Sequence, residues 1–408
     1  MVNRRAFLAS LGTVVGAGCA TRNDAEPPAE PTATTTGQTS TTTASTARSE
    51  EPAVPDSIDS SWPMPAHDSG RSNHAPDASG PTTLPADLWA VSFETALSDP
   101  VVADGTLYVG GDDGVVRALD ARTGAGQWQT ALDAPAGTPW VVGDRLFVPT
   151  PGAIVALDAD GGEASDSDER IETPSRADFV AARHGLYYVD ASGPAVVALE
   201  GSGERRWEAE IGEPWQSPLL TSDEHVFVST GAHWAEPWTF AVDTGEFAGS
   251  RRPEPGGSDM IAERFVSEET VFAVDPMFGE VEAAVVDAGG YDETWYVSLD
   301  AYAPFALAGG TDHVSVAAEH PEPVLYGLSK DGGATRFQTS LPGELSGRPT
   351  VAEETVLVRS DGELHCFDPK DGSRRWVRAA DEIGSRLVLV DDLVYTTHDG
   401  TVRALRGV

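Results

Sequence analysis

The chain has 408 residues and carries 65 acidic against 27 basic side chains, which gives a formal net charge of −38. Only two of the basic residues, Lys330 and Lys370, are lysine. A surface this negative repels DNA and anionic lipid head groups, so nucleic acid is excluded as a partner.

Residues 1–18 are predicted to be an export signal. Residues 3–8, with the sequence NRRAFL, resemble a twin-arginine motif that contains Arg4 and Arg5. The apolar stretch 6–17 behind it is shorter than the about 20 residues that cross a bilayer. The pattern therefore predicts a cleaved leader rather than a membrane-spanning helix.

Residues 16–19, Gly-Ala-Gly-Cys, resemble a lipobox, although Gly16 stands where an aliphatic residue is usual. We expect Cys19 to be lipidated after cleavage. The alternative is an ordinary signal-peptidase site that happens to lie beside a cysteine. A single lipid would tether the protein to the outer face of the cell membrane.

Residues 19–60 are predicted to be a disordered tether. From Thr21 onward the composition changes to Thr, Ser, Pro, Ala and Glu, including TATTTGQTSTTTASTA at 32–47. Such a segment has almost nothing to bury, so it cannot offset the entropy of ordering.

Residues 62–74 lead into the first repeat and contain two histidines seven positions apart. His67 and His74 lie among Gly, Ser and Pro, which is a poor spacing for a metal site. We interpret them as polar loop residues packed under the folded domain, with a zinc or copper site as the alternative.

The stretch 107–128, LYVGGDDGVVRALDARTGAGQW, is one unit of a repeat that fills most of the remaining chain. Two short apolar runs flank residues 112–114, where glycine takes a positive φ without steric cost, and this predicts a β-hairpin. Asp120 ends the second strand, Thr123 and Gly124 make another turn, and Trp128 lies in a third strand.

Altered copies of this unit follow one another to the end of the chain. Their strand cores begin at residues 107, 146, 186, 226, 271, 314, 356 and 393, with spacings of 37 to 45 residues. A period near 40 residues with several strands in each unit is typical of propeller blades.

These motifs resemble the PQQ-like β-propeller family, whose repeat runs aliphatic-Tyr-Val, a glycine turn, Ala-Leu-Asp-Ala, Thr-Gly and Trp. The resemblance covers residues 61–408, and it is specific for the fold rather than for an activity. The family includes quinoprotein dehydrogenases and also a non-enzymatic lipoprotein subunit of the machine that assembles outer-membrane proteins.

Residues 88–95, LWAVSFET, align with outer strands of later repeats, whereas the last repeat reaches Val408 without such a strand. We therefore expect residues 88–95 to complete the last blade and close the ring. The predicted fold is all-β: an eight-bladed propeller of four-stranded antiparallel blades. Recurring tryptophans are interpreted as structural residues wedged between blades: Trp89, Trp128, Trp207 and Trp376.

The segments that lead into the innermost strands are expected to converge at one mouth of the central channel, where propellers of this kind usually bind. Alignment of the repeats places six residues on this rim: Asp99, Trp140, Trp215, Arg264, Arg348 and Arg386. A rim that mixes aromatic and charged side chains suits a peptide loop or a polar solute.

A quinone cofactor finds little support among the residues. Quinoprotein dehydrogenases of similar fold use a Cys-Cys disulfide in one branch, a stacking Trp, and acidic and amide ligands to calcium beside a catalytic Asp. This chain has no Cys-Cys pair, and no asparagine follows Asn73. A second branch uses a His base, but the histidines here stand at irregular repeat positions: His184, His225, His313, His365 and His398.

No catalytic residue, metal ligand or cofactor is therefore predicted. We expect a monomeric, non-catalytic scaffold that binds an extracytoplasmic protein partner at the cell surface. A dehydrogenase that uses PQQ with calcium in a divergent site is the alternative. Dense carboxylates with scarce lysine resemble proteins of salt-loving organisms, so we interpret the acidity as adaptation to a medium.

Overall fold

The computed structural model describes residues 51–162, 170–173, 179–182, 184–190, 193–211, 219–230, 236–250, 263–275, 279–287 and 290–408. Within these ranges the regular elements are strands, and no α-helix occurs. The strands form eight antiparallel sheets of four strands in a ring, one of which gains a short parallel strand. The predicted all-β, eight-bladed propeller is confirmed.

Two strands precede the first complete blade: β1 (His74–Ala75) and β2 (Pro85–Ser92). Blade 1 contains β3 (Val101–Ala103), β4 (Thr106–Gly110), β5 (Val115–Asp120) and β6 (Gly126–Ala131). Blade 2 contains β7 (Trp140–Val142), β8 (Arg145–Thr150), β9 (Ala153–Asp158) and β10 (Arg170–Glu172). Blade 3 contains β11 (Phe179–Ala182), β12 (Gly185–Asp190), β13 (Ala195–Leu199) and β14 (Arg205–Glu210).

Blade 4 contains β15 (Leu220–Thr221), β16 (His225–Thr230), β17 (Glu236–Ala241) and β18 (Phe247–Ser250). Blade 5 contains β19 (Glu263–Ser267), β20 (Thr270–Asp275), β21 (Glu280–Asp287) and β22 (Gly290–Ser298). Blade 6 contains β23 (Tyr302–Gly309), β24 (His313–His320), β25 (Val324–Ser329) and β26 (Thr335–Ser340).

Blade 7 contains β27 (Thr350–Ala352), β28 (Val356–Ser360), β29 (Glu363–Phe367) and β30 (Arg374–Ala379), with β1 added beside β27. Blade 8 contains β31 (Val388–Val390), β32 (Leu393–His398) and β33 (Thr401–Gly407), with β2 as its outermost strand. We call the end of the channel where the innermost strands begin the upper mouth, and the opposite end the lower mouth. The faces of the propeller that surround these two mouths are the upper face and the lower face.

The first and last segments of the propeller close the ring. Strand β2 pairs antiparallel with β33, so that Pro85 faces Gly407 and Ser92 faces Thr401. The predicted closure is confirmed, although the strand spans residues 85–92 rather than 88–95. Proline is tolerated as the first residue of an edge strand because that position needs no N–H, so the strand begins three residues earlier than predicted.

Among the described residues, an indole on the outermost strand of five blades contacts the next blade, usually at the turn between its last two strands. We call the boundary between two adjacent blades a seam. In the described residues, indole N–H groups donate to backbone carbonyls across these seams: Trp89 to Ala121 (3.0 Å), Trp128 to Ala159 (3.1 Å), Trp207 to Val242 (2.8 Å), Trp295 to Lys330 (2.8 Å) and Trp376 to Pro81 (2.8 Å). We call this contact the indole clasp. Trp295 was missing from the sequence prediction because the long β21–β22 hairpin shifts its spacing from the strand core.

The segment before β2 forms a belt around the lower end of the channel. Within this leader segment, residues 59–80, backbone groups bond the innermost strands of six blades: Trp62 with Val102, Pro63 with Val141, Ser69 with Thr221, Gly70 with Val266, Ser72 with Gly309 and Asn73 with Val351. The carboxylate of Asp391 in blade 8 accepts the N–H groups of Asp59 and Ser60 at 2.9 Å. The backbone of the leader segment therefore lies along the lower end of the channel.

Candidate functional site

The upper mouth brings together two of the residues that the sequence placed on its rim. Asp99 leads into blade 1 and Arg386 leads into blade 8, and the Arg386 Nε lies 3.8 Å from Asp99 Oδ2. The two side chains are 40% and 56% exposed, respectively. Burial of the carboxyl raises the pKa of Asp99, and the Arg386 guanidinium opposes that shift. The rim therefore offers an ion pair that water and a partner can both reach.

Hydrogen bonds hold the loop that carries Asp99. Ser98 bonds Gly110 in both directions, because its N–H donates to the Gly110 carbonyl and its Oγ accepts from the Gly110 N–H. The hydroxyl of Thr397 in blade 8 donates to the Ser98 carbonyl at 3.0 Å. These bonds join blades 1 and 8 at the residue next to Asp99, so the backbone that carries the Asp99 carboxylate is held in place.

Arg348 lies on the same end of the channel, at the segment that leads into blade 7. Its Nε donates to the carbonyl of Leu307 in blade 6 at 3.2 Å. At the neighbouring Gly347, with φ +91°, a Cβ atom would lie 2.6 Å from the Ser385 carbonyl oxygen. The segments leading into blades 7 and 8 therefore touch, and glycine is required at this close approach.

Two other rim residues are buried. Trp140 is 3% exposed and packs on Phe179 with ring centroids 5.1 Å apart, while the guanidinium of Arg71 lies 5.8 Å from its ring centre. Arg264 is 7% exposed. Both side chains are packed inside the ring rather than presented on the rim. Trp215 lies outside the described residues.

An open groove runs beside the ion pair on the upper face. It has a volume of about 520 Å³ and is lined by the loop 93–97 of the ring closure and the β32–β33 turn, residues 397–400. Phe93 lines one side of the groove, and the Arg117 guanidinium lies over its ring, 4.7 Å from the ring centre. Glu94 and Asp399 add carboxylates to the groove. The groove thus combines apolar surface with negative charge.

The residues present do not fit the quinone site that the resemblance implies. Cys366 is fully buried in β29, and burial raises the pKa of its thiol to about 12. The amide of Asn73 is used within the fold, because it donates to the Pro349 carbonyl and to Thr350 Oγ1. The sequence therefore contains no cysteine pair, and no further asparagine amide is available in the propeller as a calcium ligand.

In the described part of the chain, one group of side chains has the composition and closeness of a metal site. Glu224, His225 and Glu269 place one ligand atom each within 4.8 Å of one another. They come from turns at the lower ends of blades 4 and 5. The sequence did not reveal this group, because His225 and Glu269 are 44 positions apart and only the fold brings them together.

The predicted export residues Arg4, Arg5 and Cys19 lie outside the described residues. None of the described residues forms a helix long and apolar enough to span a membrane.

The fold and the repeat define the chain as a PQQ-like β-propeller. A family model described as "Outer membrane protein assembly factor BamB" matches residues 85–248, 151–276 and 278–407. These matches together cover well over half of the chain, so the chain belongs to this family.

Other similarities cover less of a relative or concern the fold alone. A stretch of 155 residues is 31% identical to the serine/threonine-protein kinase AfsK of Streptomyces griseus, and it spans 36% of this chain but only 15% of the kinase. The quinohemoprotein alcohol dehydrogenase of Comamonas testosteroni matches with a TM-score of 0.60 at 13% identity, over 85% of this chain and 80% of that chain. The computationally designed Ika8 protein matches with a TM-score of 0.62 at 14% identity, over 77% and 97% respectively.

Proposed function

We propose that the protein is a non-catalytic interaction module that binds a polypeptide segment of an extracytoplasmic partner at its upper mouth. A twin-arginine signal would export it, and a lipid on Cys19 would hold it at the outer face of the cell membrane. The part of the predicted tether 19–60 that precedes residue 51 would then set the propeller away from the membrane surface, because Asp59 and Ser60 already bond Asp391 of blade 8.

Membership of the family described as an outer membrane protein assembly factor supports a role in binding other proteins. The observation that carries the proposal is the contrast between the two ends of the channel. The leader segment bonds the innermost strands of six blades at the lower end, whereas the upper mouth presents the half-exposed Asp99–Arg386 pair beside an open groove.

The chemistry of the groove favours a peptide over a small apolar ligand. Its walls mix Phe93 and Leu97 with carboxylates and exposed turn backbone, which an extended chain with basic and apolar side chains would complement. The groove is open, so it fits a chain that lies across it rather than an enclosed molecule. A partner segment with net positive charge is therefore expected.

Paired substitutions test this proposal. The double variant Asp99→Ala/Arg386→Ala should capture its partner from intact cells about tenfold less than the wild type, corresponding to about 1.4 kcal/mol of binding free energy. The matched control Asp312→Ala/Arg336→Ala removes an ion pair (2.7 Å) of the lower face and should leave capture unchanged. Equal capture by all three proteins would refute the upper mouth as the binding site.

A PQQ-dependent dehydrogenase is tested separately. The purified protein in concentrated salt is titrated with PQQ and calcium while quinone absorbance and thermal melting are followed together. Ligands of the native state must stabilise it, so a saturable rise of the melting temperature would support the dehydrogenase. The interaction module predicts no saturable change.

A further inference from the structure

The seam between blades 4 and 5 departs from the indole clasp. Strand β18 of blade 4 contains no tryptophan, and its aromatic residue Phe247 is 53% exposed instead of wedged against the next blade. Phe247 packs back on Trp238 of its own blade, with ring centroids 5.4 Å apart. This seam is therefore held in a different way from the seams that carry an indole clasp.

A cluster of polar side chains crosses this seam at the lower face. The Glu269 carboxylate, on the β19–β20 turn of blade 5, accepts three hydrogen bonds from the β15–β16 turn of blade 4. They come from the Ser222 hydroxyl (2.8 Å), the Glu224 N–H (3.2 Å) and the His225 Nδ1 (2.8 Å). The carboxylate of one blade is thus oriented by the backbone and side chains of the other.

Both turns are held in place by their own blades. Val242 N–H donates to the Glu224 carbonyl at 2.8 Å, and Val286 N–H donates to the Glu269 carbonyl at 3.2 Å. His225 is 9% exposed. The exposed Glu224 side chain borders the His225–Glu269 contact. A nitrogen ligand and two carboxylates therefore converge on a backbone that is already positioned.

We propose that Glu224, His225 and Glu269 bind a divalent transition-metal ion, of which zinc is the best match, and that this ion clamps blade 4 to blade 5. One imidazole and two carboxylates are the ligand types that zinc and its neighbours accept, whereas calcium requires six to eight oxygen ligands. Three protein ligands leave further coordination positions for water. The Ser222 hydroxyl then serves as the outer hydrogen-bond partner that orients the Glu269 ligand.

Binding requires a small rearrangement of protons and side chains. His225 Nδ1 and Glu269 Oε2 are 2.8 Å apart, a hydrogen-bond distance, so the ion replaces the proton between them. The neutral imidazole then carries its proton on Nε2, and a histidine that was protonated releases one proton. The exposed Glu224 carboxylate rotates inward to complete the site.

Cobalt provides the direct probe, because Co²⁺ occupies zinc sites and has a visible absorption band that reports its ligands. The full chain is freed of metal with a chelator and titrated with Co²⁺ in concentrated sodium chloride, which screens the exposed carboxylates. We expect saturation at one equivalent, displacement by Zn²⁺, and a rise of the melting temperature with either ion. Absence of saturable binding would overturn the proposal.

Substitutions locate the site. His225→Gln and Glu269→Gln should each weaken Co²⁺ binding by about tenfold or more. Glu224→Gln should also weaken it, and because this side chain is exposed the variant stays folded even if the other two do not. The control is His398→Gln, which alters a histidine 3.4 Å from the Asp399 carboxylate on the upper face and should bind Co²⁺ like the wild type. Wild-type binding by Glu224→Gln would overturn the three-ligand site.

Discussion

Gly124 of blade 1 lies against the indole ring of Trp89 of blade 8, so close that a Cβ atom at residue 124 would be 2.7 Å from Cε3 of that ring. The same relationship recurs around the propeller: Gly162 with Trp128, Gly245 with Trp207, Gly333 with Trp295, and Gly372 with Phe337. Each of these glycines also has a positive φ. The recurring glycine and the recurring aromatic residue of the sequence repeat are therefore two halves of one contact between adjacent blades.

Replacement of Gly124 by alanine should destabilise the propeller. The new methyl group would meet the Trp89 ring, and alanine disfavours the φ of +72° found there, so we expect a loss of about 2 to 5 kcal/mol in the free energy of unfolding. Gly126→Ala is the control, because a Cβ at Gly126 meets nothing within 4 Å. Denaturant unfolding of the two variants measures the difference, and equal stabilities would contradict the glycine–indole contact.

Trp295→Ala should cost about 3 to 5 kcal/mol, because it removes a buried ring and leaves the Lys330 carbonyl without its indole donor. The neighbouring Tyr296 is 53% exposed, so Tyr296→Ala should cost less than about 1 kcal/mol. Chemical denaturation of both variants tests the assignment. Similar losses for the two would show that Trp295 is no clasp residue.

The stability of the propeller should fall as the pH decreases below about 6.5. Burial lowers the pKa of His74 to about 3, with repulsion from nearby cationic groups adding to the shift. Between pH 6.5 and 3 the unfolded chain therefore binds one more proton than the native state, and this lowers the free energy of unfolding by up to about 1.4 kcal/mol per pH unit. His74→Gln should reduce this slope between pH 6.5 and 5, above the range where most carboxylates titrate, and the remaining slope comes from His313 and His365, whose pKa values burial also lowers. An unchanged slope in that variant would count against a buried neutral His74.

Removal of the leader segment should disrupt the ring. Its backbone bonds to six innermost strands at about 1 kcal/mol each, together with the buried Trp62, correspond to a fall of the melting temperature of at least about 10 °C. A chain that begins at residue 81 is compared with one that begins at residue 51, which keeps the leader segment. Calorimetry should show the melting temperature of the wild type for the longer chain and a lower one for the shorter chain. Equal melting temperatures would refute the structural role of the leader segment.

The fold could be predicted from the sequence because each repeat contains the local residue patterns that predict its own hairpin and its own turn. The period near 40 residues, the Gly114 turn and the Thr123-Gly124 turn are local signals, and even ring closure follows from the unmatched strand that contains Trp89. The exact strand, Pro85–Ser92, could not be fixed because its register depends on β33, more than 300 residues away.

The candidate site was less predictable because side-chain direction depends on packing between blades. Asp99 and Arg386 do meet at the upper mouth, but Trp140, at the start of β7, turns into the seam toward Phe179. The Glu269–His225 contact joins turns of different blades and has no pattern in the sequence. Alignment of the repeats predicts where a residue lies within its own blade. It does not predict whether the neighbouring blade buries the side chain of that residue.

Site-specific photo-cross-linking in intact cells tests the central claim most directly. A photoreactive amino acid is placed at Glu94, exposed in the groove of the upper face, and in a second protein at Asp331, exposed on the lower face. The interaction module predicts a discrete cross-linked partner from position 94, lost in the Asp99→Ala/Arg386→Ala background, and none from position 331. A partner cross-linked from position 331 alone would contradict it.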